Sequence, residues 1–342
     1  MELSERKEKI LSAVIEHFIA TGEPVGSKLL ASSFATPLSS ATIRNEMAFL
    51  SDNGFLEQPH TSAGRIPSDK GYRYYIDNLL LSYTPSNADM FRILSSIDQT
   101  EGDSVRILSQ ALNVLAQLTG CAAVATTPHS AGAVIKSTQV VPVSAHKAMI
   151  VVATSAGVLR SRLALTEAEI SYELMELFYN VTAANFVGLE ASEITEAKIQ
   201  TAVASLGEMA LDITPWLIAF YDAANEAAAS DVLVKGQTNI LSAPSLRSDA
   251  PQIIEFLRNS EELSSQLLGD TSKAVRIKIG NENEQSFMRN AAIVISPYTV
   301  KDSTLGVIGV IGPSKMDYSK IIPLVKYISE AAGKLLAESM DI

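Results

Sequence analysis

Apolar side chains recur every three or four positions along the first eighty residues, and each run is closed by a turn former. Ile10, Leu11, Val14, Ile15, Phe18 and Ile19 draw one stripe behind Ser4. The stripe ends at Thr21-Gly22 with Pro24 beyond, so a helix with one buried face is predicted there. A second short helix fits Ser27 to Phe34. Ser39 is placed to cap a third, SSATIRNEMAFLSDNG, whose Ile43, Met47 and Leu50 share a face before Asn53-Gly54. FLEQ alternates as a short strand, PHTSAG supplies turn formers and RIP returns as a second strand. Ser68 then caps a helix with Tyr72, Tyr75, Ile76, Leu79 and Leu80 on one face. Three short helices and a β-hairpin in this order spell a winged helix-turn-helix, expected over residues 1–82.

Beyond a linker at Pro85-Ser86-Asn87, drawn over residues 83–103, Leu108, Leu112 and Leu115 mark a helix from Val105 to Leu118. AAVATTP, VIKSTQVVPV, AMIVVATSAG and VLRSRLAL then read as successive strands. From Glu167 to Ser230 the pattern turns helical and alanine-rich, with helices expected around Ile170–Val181, Ile194–Met209 and Pro215–Ala229. Strands resume at AVRIKIG, AAIVISPYTV and TLGVIGVIGP before a last helix over Ile321–Ala337. The order predicts an α+β chain: a sheet domain over 104–160 and 231–342, interrupted by a helical insertion over 161–230.

Composition narrows the chemistry. With 342 residues, 47% hydrophobic and 19% charged, the chain can bury a large core. The net charge of -11 argues against a protein coated in basic residues, yet leaves room for a local basic patch. Cys121 is the one cysteine, in apolar surroundings, so neither an intramolecular disulfide nor a four-cysteine zinc site is expected. The mixed charges of MELSERKEKI and the lack of an apolar run of about eighteen residues predict a cytoplasmic protein.

In a helix-turn-helix the third helix enters the major groove, which singles out Ser40, Thr42, Arg44 and Asn45, the residues off its apolar stripe. Arginine pairs with guanine and asparagine with adenine, but a solvated helix face carries the same residue types. The hairpin adds His60 and Arg65, with no acid between Glu57 and Asp69, as suits phosphate oxygens. An active site would need base, nucleophile and orienting group together, and His60 with Ser62 offers too little in a turn. No His, Cys, Asp or Glu cluster has metal-ligand spacing, so no cofactor and no catalysis are expected.

EPVGSKLL, SSATIRNEM and LEQPHTSAGRIPSDKGYRYYID resemble HrcA, the bacterial heat-inducible transcription repressor family. The resemblance continues through GQTNIL, IKIGNEN and GVIGVIGPSKMDYSKII, nearly the whole chain. It implies repression of chaperone operons through an inverted-repeat operator, CIRCE, and dependence on the GroEL chaperonin. It also implies a GAF-like domain with an inserted dimerisation domain, and DNA contact by Ser40, Thr42, Arg44, Asn45, His60, Thr61, Ser62 and Arg65. Lys28 and Lys315 depart from it, standing where relatives often carry arginine. An inverted repeat asks for a two-fold symmetric partner, hence a homodimer. The expected interface is the insertion, through Ile194, Leu206, Leu211, Trp216, Leu217 and Phe220, with Trp216 equally readable as core. A ligand-gated regulator and an enzyme with a DNA-binding appendage remain the rival classes.

Overall fold

The computed structural model describes residues 3–32, 34, 39–60, 63–80, 86, 90, 93, 95, 97, 104–128, 133–155, 157–228, 231–268, 275–300 and 303–339. Its N-terminal unit follows the polar and apolar pattern closely. Helix α1 spans Glu5–Thr21 and stops where Gly22 takes a left-handed φ of 72°, its backbone N–H capping Phe18. Helix α2 (Ser27–Ala31) is shorter than expected, and α3 (Ser40–Asp52) starts at the cap supplied by Ser39. Strands β1 (Leu56–Glu57) and β2 (Ile66–Pro67) pair antiparallel, and Ser68 caps α4 (Asp69–Tyr74), which runs on as a π-helical turn to Leu79.

The rest is built on two separate sheets. After α5 (Ser104–Thr119) comes β3 (Ala122–Thr126), followed by a meander of β4 (Ile135–Ser144), β5 (Lys147–Thr154) and β6 (Leu159–Leu165). Helices α6 (Tyr172–Asn185), α7 (Glu196–Ala204) and α8 (Ala210–Ala228) cover one face of that meander and share a core with it. The chain returns through β7 (Val232–Lys235), α9 (Thr238–Ser242), α10 (Ala250–Arg258) and α11 (Ser260–Leu268). It ends with β8 (Arg276–Ile279), β9 (Ala291–Val300), β10 (Ser303–Pro313) and α12 (Tyr318–Ser339). The five strands β7-β3-β10-β9-β8 form one antiparallel sheet.

That sheet is buried on both faces, so its strands read as continuous apolar runs. Ala123, Ala125, Val294, Ile308 and Val310 join the core of α5 and α12, while Ala122, Val124, Ile293, Ile295 and Val307 join that of α10 and α11. Gly309 is required in β10, since a Cβ there would lie 2.1 Å from the Val294 carbonyl oxygen.

Three expectations need correction. The strands β4, β5 and β6 do not belong to the large sheet. They form their own, so the inserted unit runs from about residue 133 to 228 and is not purely helical. Its base is pinched where Thr127 N–H donates to Asp231 O (2.7 Å) and Asp231 N–H to Thr127 Oγ1 (3.0 Å). Trp216, Leu217 and Phe220 are fully buried inside that unit, and Ile194 nearly so, because α8 turns them onto Phe178 and the inner face of β5; they cannot meet a partner subunit. Leu206 is half-buried against the same core, and Leu211 alone of the expected interface set is open to solvent, at 86% exposure. Finally, Ile93 and Ile97, inside the expected linker, are buried in the main core. Pro85 and Asn87 lie outside the described residues.

Candidate nucleic-acid interface

Ile43, Met47 and Leu50 lock α3 into the core, which fixes the direction of every other side chain on it. Ser39 Oγ accepts from Thr42 N–H at 3.0 Å and lies 2.8 Å from Thr42 Oγ1, a cap typically worth about 1 kcal/mol. Ser40 Oγ lies 3.3 Å from Ser27 Oγ, tying α3 to α2. The hydroxyls of Ser40 and Thr42 therefore have structural partners, whereas Arg44 and Asn45 project from the exposed face. Among the described residues no ion-pair partner faces Arg44. Of the two acids on this helix, Glu46 is turned toward α1, where Lys7 (3.2 Å) and Arg6 (3.7 Å) neutralise it, and Asp52 lies in the last turn.

The hairpin is held against the same surface. Val25 and Arg65 exchange both backbone hydrogen bonds, at 2.8 and 2.9 Å, so the segment before α2 lies alongside the returning strand. Gly64 permits this approach: a Cβ there would stand 2.4 Å from Val25 O. The turn is closed by Ala63 N–H donating to His60 O (2.8 Å) and by Gln58 Nε2 donating to Ala63 O (3.1 Å). His60 is exposed, while Thr61 and Ser62 lie outside the described residues. Arg65 is half-buried and its Nε donates to Ser51 Oγ at 2.8 Å, which anchors the guanidinium with its two terminal nitrogens free of that bond. Glu57, the acid on β1, sits 3.7 Å from Lys315 Nζ.

Arg44 and Arg65 thus meet across one open cleft of about 480 Å³, whose other walls include Gly26, Ser27, Met47, Gln58 and Ala63. It is an open polar cleft with two cations and, among the described residues, no acid in its lining, suited to anionic oxygens. Linear reading misses Gly26, Ser27 and Gln58, because only the Val25–Arg65 bridge brings the start of α2 to the hairpin. The tyrosines of GYRYY pack as expected: Tyr72 and Tyr75 are buried, and Tyr74 Oη donates to Glu8 Oε1 at 2.7 Å. Lys315 acts as a single point charge on Glu57, 5.8 Å from the Phe18 ring, with none of the forked pairing an arginine would make there.

Other distinctive segments are structural. In GQTNIL, Gly236 has a φ of 67° and Asn239 Nδ2 donates to Cys121 O at 2.9 Å, joining α9 to the end of α5. Burial pushes the Cys121 thiol up to about 11. Among the described residues there is no group of three His, Cys, Asp or Glu able to hold a metal, and no helix is long and apolar enough to cross a membrane.

Comparison with known proteins identifies the family. Residues 105–322 match the family described as HrcA protein C terminal domain. The heat-inducible transcription repressor HrcA of Acetivibrio thermocellus is 35% identical over 333 residues, covering 96% of this chain and 95% of the relative. The protein of the same name from Ruminiclostridium cellulolyticum is 33% identical, covering 100% and 99%. A crystal structure of a hypothetical protein superposes with a TM-score of 0.67 at 25% identity, covering 99% of this chain and 100% of that one. With both the C-terminal two-thirds and the full-length relatives in agreement, the chain belongs to the HrcA family of transcription repressors, a family of regulators and not of enzymes.

Proposed function

We propose that this protein represses heat-shock chaperone operons in the cytoplasm by binding a CIRCE-type inverted-repeat operator as a homodimer. In this reading residues 1–80 act as a winged helix-turn-helix, the five-stranded sheet as a GAF-like domain and residues 133–228 as the inserted dimerisation domain. The observation that carries it is the convergence of Arg44, from α3, and Arg65, from the hairpin, on one open polar cleft. Arg44 and Asn45 would read base edges while Arg65 and His60 meet phosphates. Ser40 and Thr42 contribute by holding the start of α3, and Thr61 and Ser62 remain candidates for phosphate contact.

The dimer reading rests on the outer face of the three-stranded sheet. Register aligns Val141, Met149 and Leu163 in one row across it. Leu159, Leu163 and Leu165 are 64%, 57% and 61% exposed, an apolar strip larger than scattered surface residues make. Leu163 and Leu165 replace Trp216 as interface anchors.

Modulation by the GroEL chaperonin fits the topology. β3 pairs with β10 through Ala125 and Ile308, and with β7 across the whole inserted unit. Sheets closed by such distant strands fold slowly and expose apolar edges meanwhile. Chaperonin occupied by unfolded proteins would leave the repressor inactive. Refolding with and without chaperonin, read by binding to an inverted-repeat duplex, tests this: recovery should rise with chaperonin. Full recovery without it would remove GroEL from the mechanism.

A further inference from the structure

Arg73 lies 209 residues from Glu282 in sequence and further still from Lys315, yet the three segments meet where the helix-hairpin unit abuts the five-stranded sheet. Arg73, on α4, donates through Nε to Glu282 Oε1 (2.8 Å), through Nη2 to Glu282 Oε2, and through Nη2 to Ile277 O (2.9 Å). Its Nη1 lies 3.5 Å from Asp77. Glu282 is held before Arg73 reaches it, since its Oε2 also accepts from Ile279 N–H at 2.8 Å. Beside this fork, Asp69 accepts from the Asn281 backbone and sits on Gly280, whose φ is 52° and whose missing Cβ would fall 1.8 Å from Asp69 Oδ2. Tyr72 and Tyr318 pack with ring centroids 5.5 Å apart, and Lys315 reaches back to Glu57 on the hairpin.

Domains joined by small interfaces move relative to one another by default. Here a bidentate arginine fork, a glycine seat and an aromatic pair act together. One hydrophobic core also runs without a break from Ile15 and Leu50 through Tyr72 and Tyr318 to Leu112 and Val294. The inserted unit, by contrast, has a core of its own.

We propose that Arg73 and Glu282, seated beside Asp69 and Gly280, are positioning residues that clamp the helix-hairpin unit to the sheet in one orientation. They thereby set which half-site spacing the dimer accepts, without touching DNA. The idea rests on the DNA-binding reading above. In a two-fold dimer the distance and phase between the two α3 helices are fixed only if each helix is fixed to its own sheet. A loosened clamp lets each α3 adjust to its half-site separately, so affinity for one half-site stays while preference among spacings fades.

Two measurements test it on the full chain with Arg73→Ala and, as the milder change that keeps an oxygen for Ile279 N–H, Glu282→Gln. First, spin labels on Asp52→Cys and Glu255→Cys, with Cys121 too buried to label, should give a narrow distance distribution that broadens in Arg73→Ala and less so in Glu282→Gln. Second, the unsubstituted protein should bind its operator about tenfold more tightly than one whose spacer is changed by about five base pairs, half a helical turn. Arg73→Ala should shrink that preference to about threefold or less while changing single half-site binding less than about twofold. An unchanged distance distribution in both variants overturns the clamp. Retained spacer preference, or an equal loss on half-sites and full operators, overturns its role in spacing. If the unsubstituted protein binds neither the half-site nor the full operator, the DNA-binding reading falls instead, and the distances still decide the clamp.

Discussion

Two surfaces of this protein lack cover within the protomer, and they differ in kind. The α3–hairpin cleft is polar, lined by Arg44 and Arg65, with Glu46 drawn away to Lys7. The outer face of the three-stranded sheet is apolar, with Leu159, Leu163 and Leu165 in the open. A polar, cationic surface suits a solvated polyanion, whose contacts are screened by salt. An apolar sheet face suits a permanent partner, whose binding is not. On the proposed reading, DNA meets one end of the chain and a second copy meets the middle.

Substitutions can break this comparison at either end. The largest effect is expected inside the inserted unit: Trp216 packs edge-on to Phe178 at 5.7 Å, so Trp216→Ala should cost about 3–5 kcal/mol in urea unfolding of that unit. It should abolish dimers only by unfolding the unit that forms them. Leu163→Asp should instead keep the monomer fold and weaken the dimer by about 2–4 kcal/mol in sedimentation equilibrium. Unaltered dimers would move the interface elsewhere. Arg44→Ala should lose roughly 1–3 kcal/mol of operator affinity in anisotropy titrations, with relaxed preference at one base pair, and leave the dimer intact.

The smallest effect concerns the junction between the helix-hairpin unit and the sheet. Burial raises the Asp69 carboxyl above its usual value, with the Asn281 backbone and Lys315 opposing and Glu57 and Glu282 adding to the rise. The folded chain therefore takes up this proton at a higher pH than the unfolded chain does. Stability from this group is full below the ordinary aspartate range and is lost as pH rises through the raised value. Asp69→Asn should melt no lower than the parent at pH 7, with any advantage shrinking as pH falls. A melting point lowered at pH 7 would mean that the ionised carboxylate stabilises the junction.

The helix-hairpin unit was legible because its signals are local. Ser39 and Ser68 cap where the pattern places them, and Gly22 ends α1. The inserted unit is harder to read because AMIVVAT, taken alone, is apolar up to Thr154, like the strands of the two-faced sheet. Its neighbour VLRSRLAL turns Leu159, Leu163 and Leu165 outward and sets Arg160 and Arg162, in register with the buried Val152 and Ile150, at the rim of the helix-covered face. There the two arginines reach Asp231 and Glu226. Helices α10 and α11 carry local signals too: Pro251 starts one, Ile253, Phe256 and Leu257 stripe it, and Asn259 caps the next. Trp216 could not be sorted into core or interface from spacing, since both demand an apolar face on α8. Only the exposure of each face separates Leu211 and Ile218 from Trp216 and Phe220. Of the candidate DNA contacts, Arg44, Asn45, His60 and Arg65 were readable as positions. The convergence of Arg44 and Arg65 on one cleft depends on the Val25–Arg65 bridge, which no periodicity encodes.

The most direct test of the account is an anisotropy titration of the purified full-length protein against an inverted-repeat duplex and a scrambled duplex of equal length, across a salt series. Dimer binding should favour the inverted repeat by about a thousandfold or more, with affinity falling steeply and linearly in the logarithm of salt concentration. Equal affinity for both duplexes, or binding indifferent to salt, would contradict it.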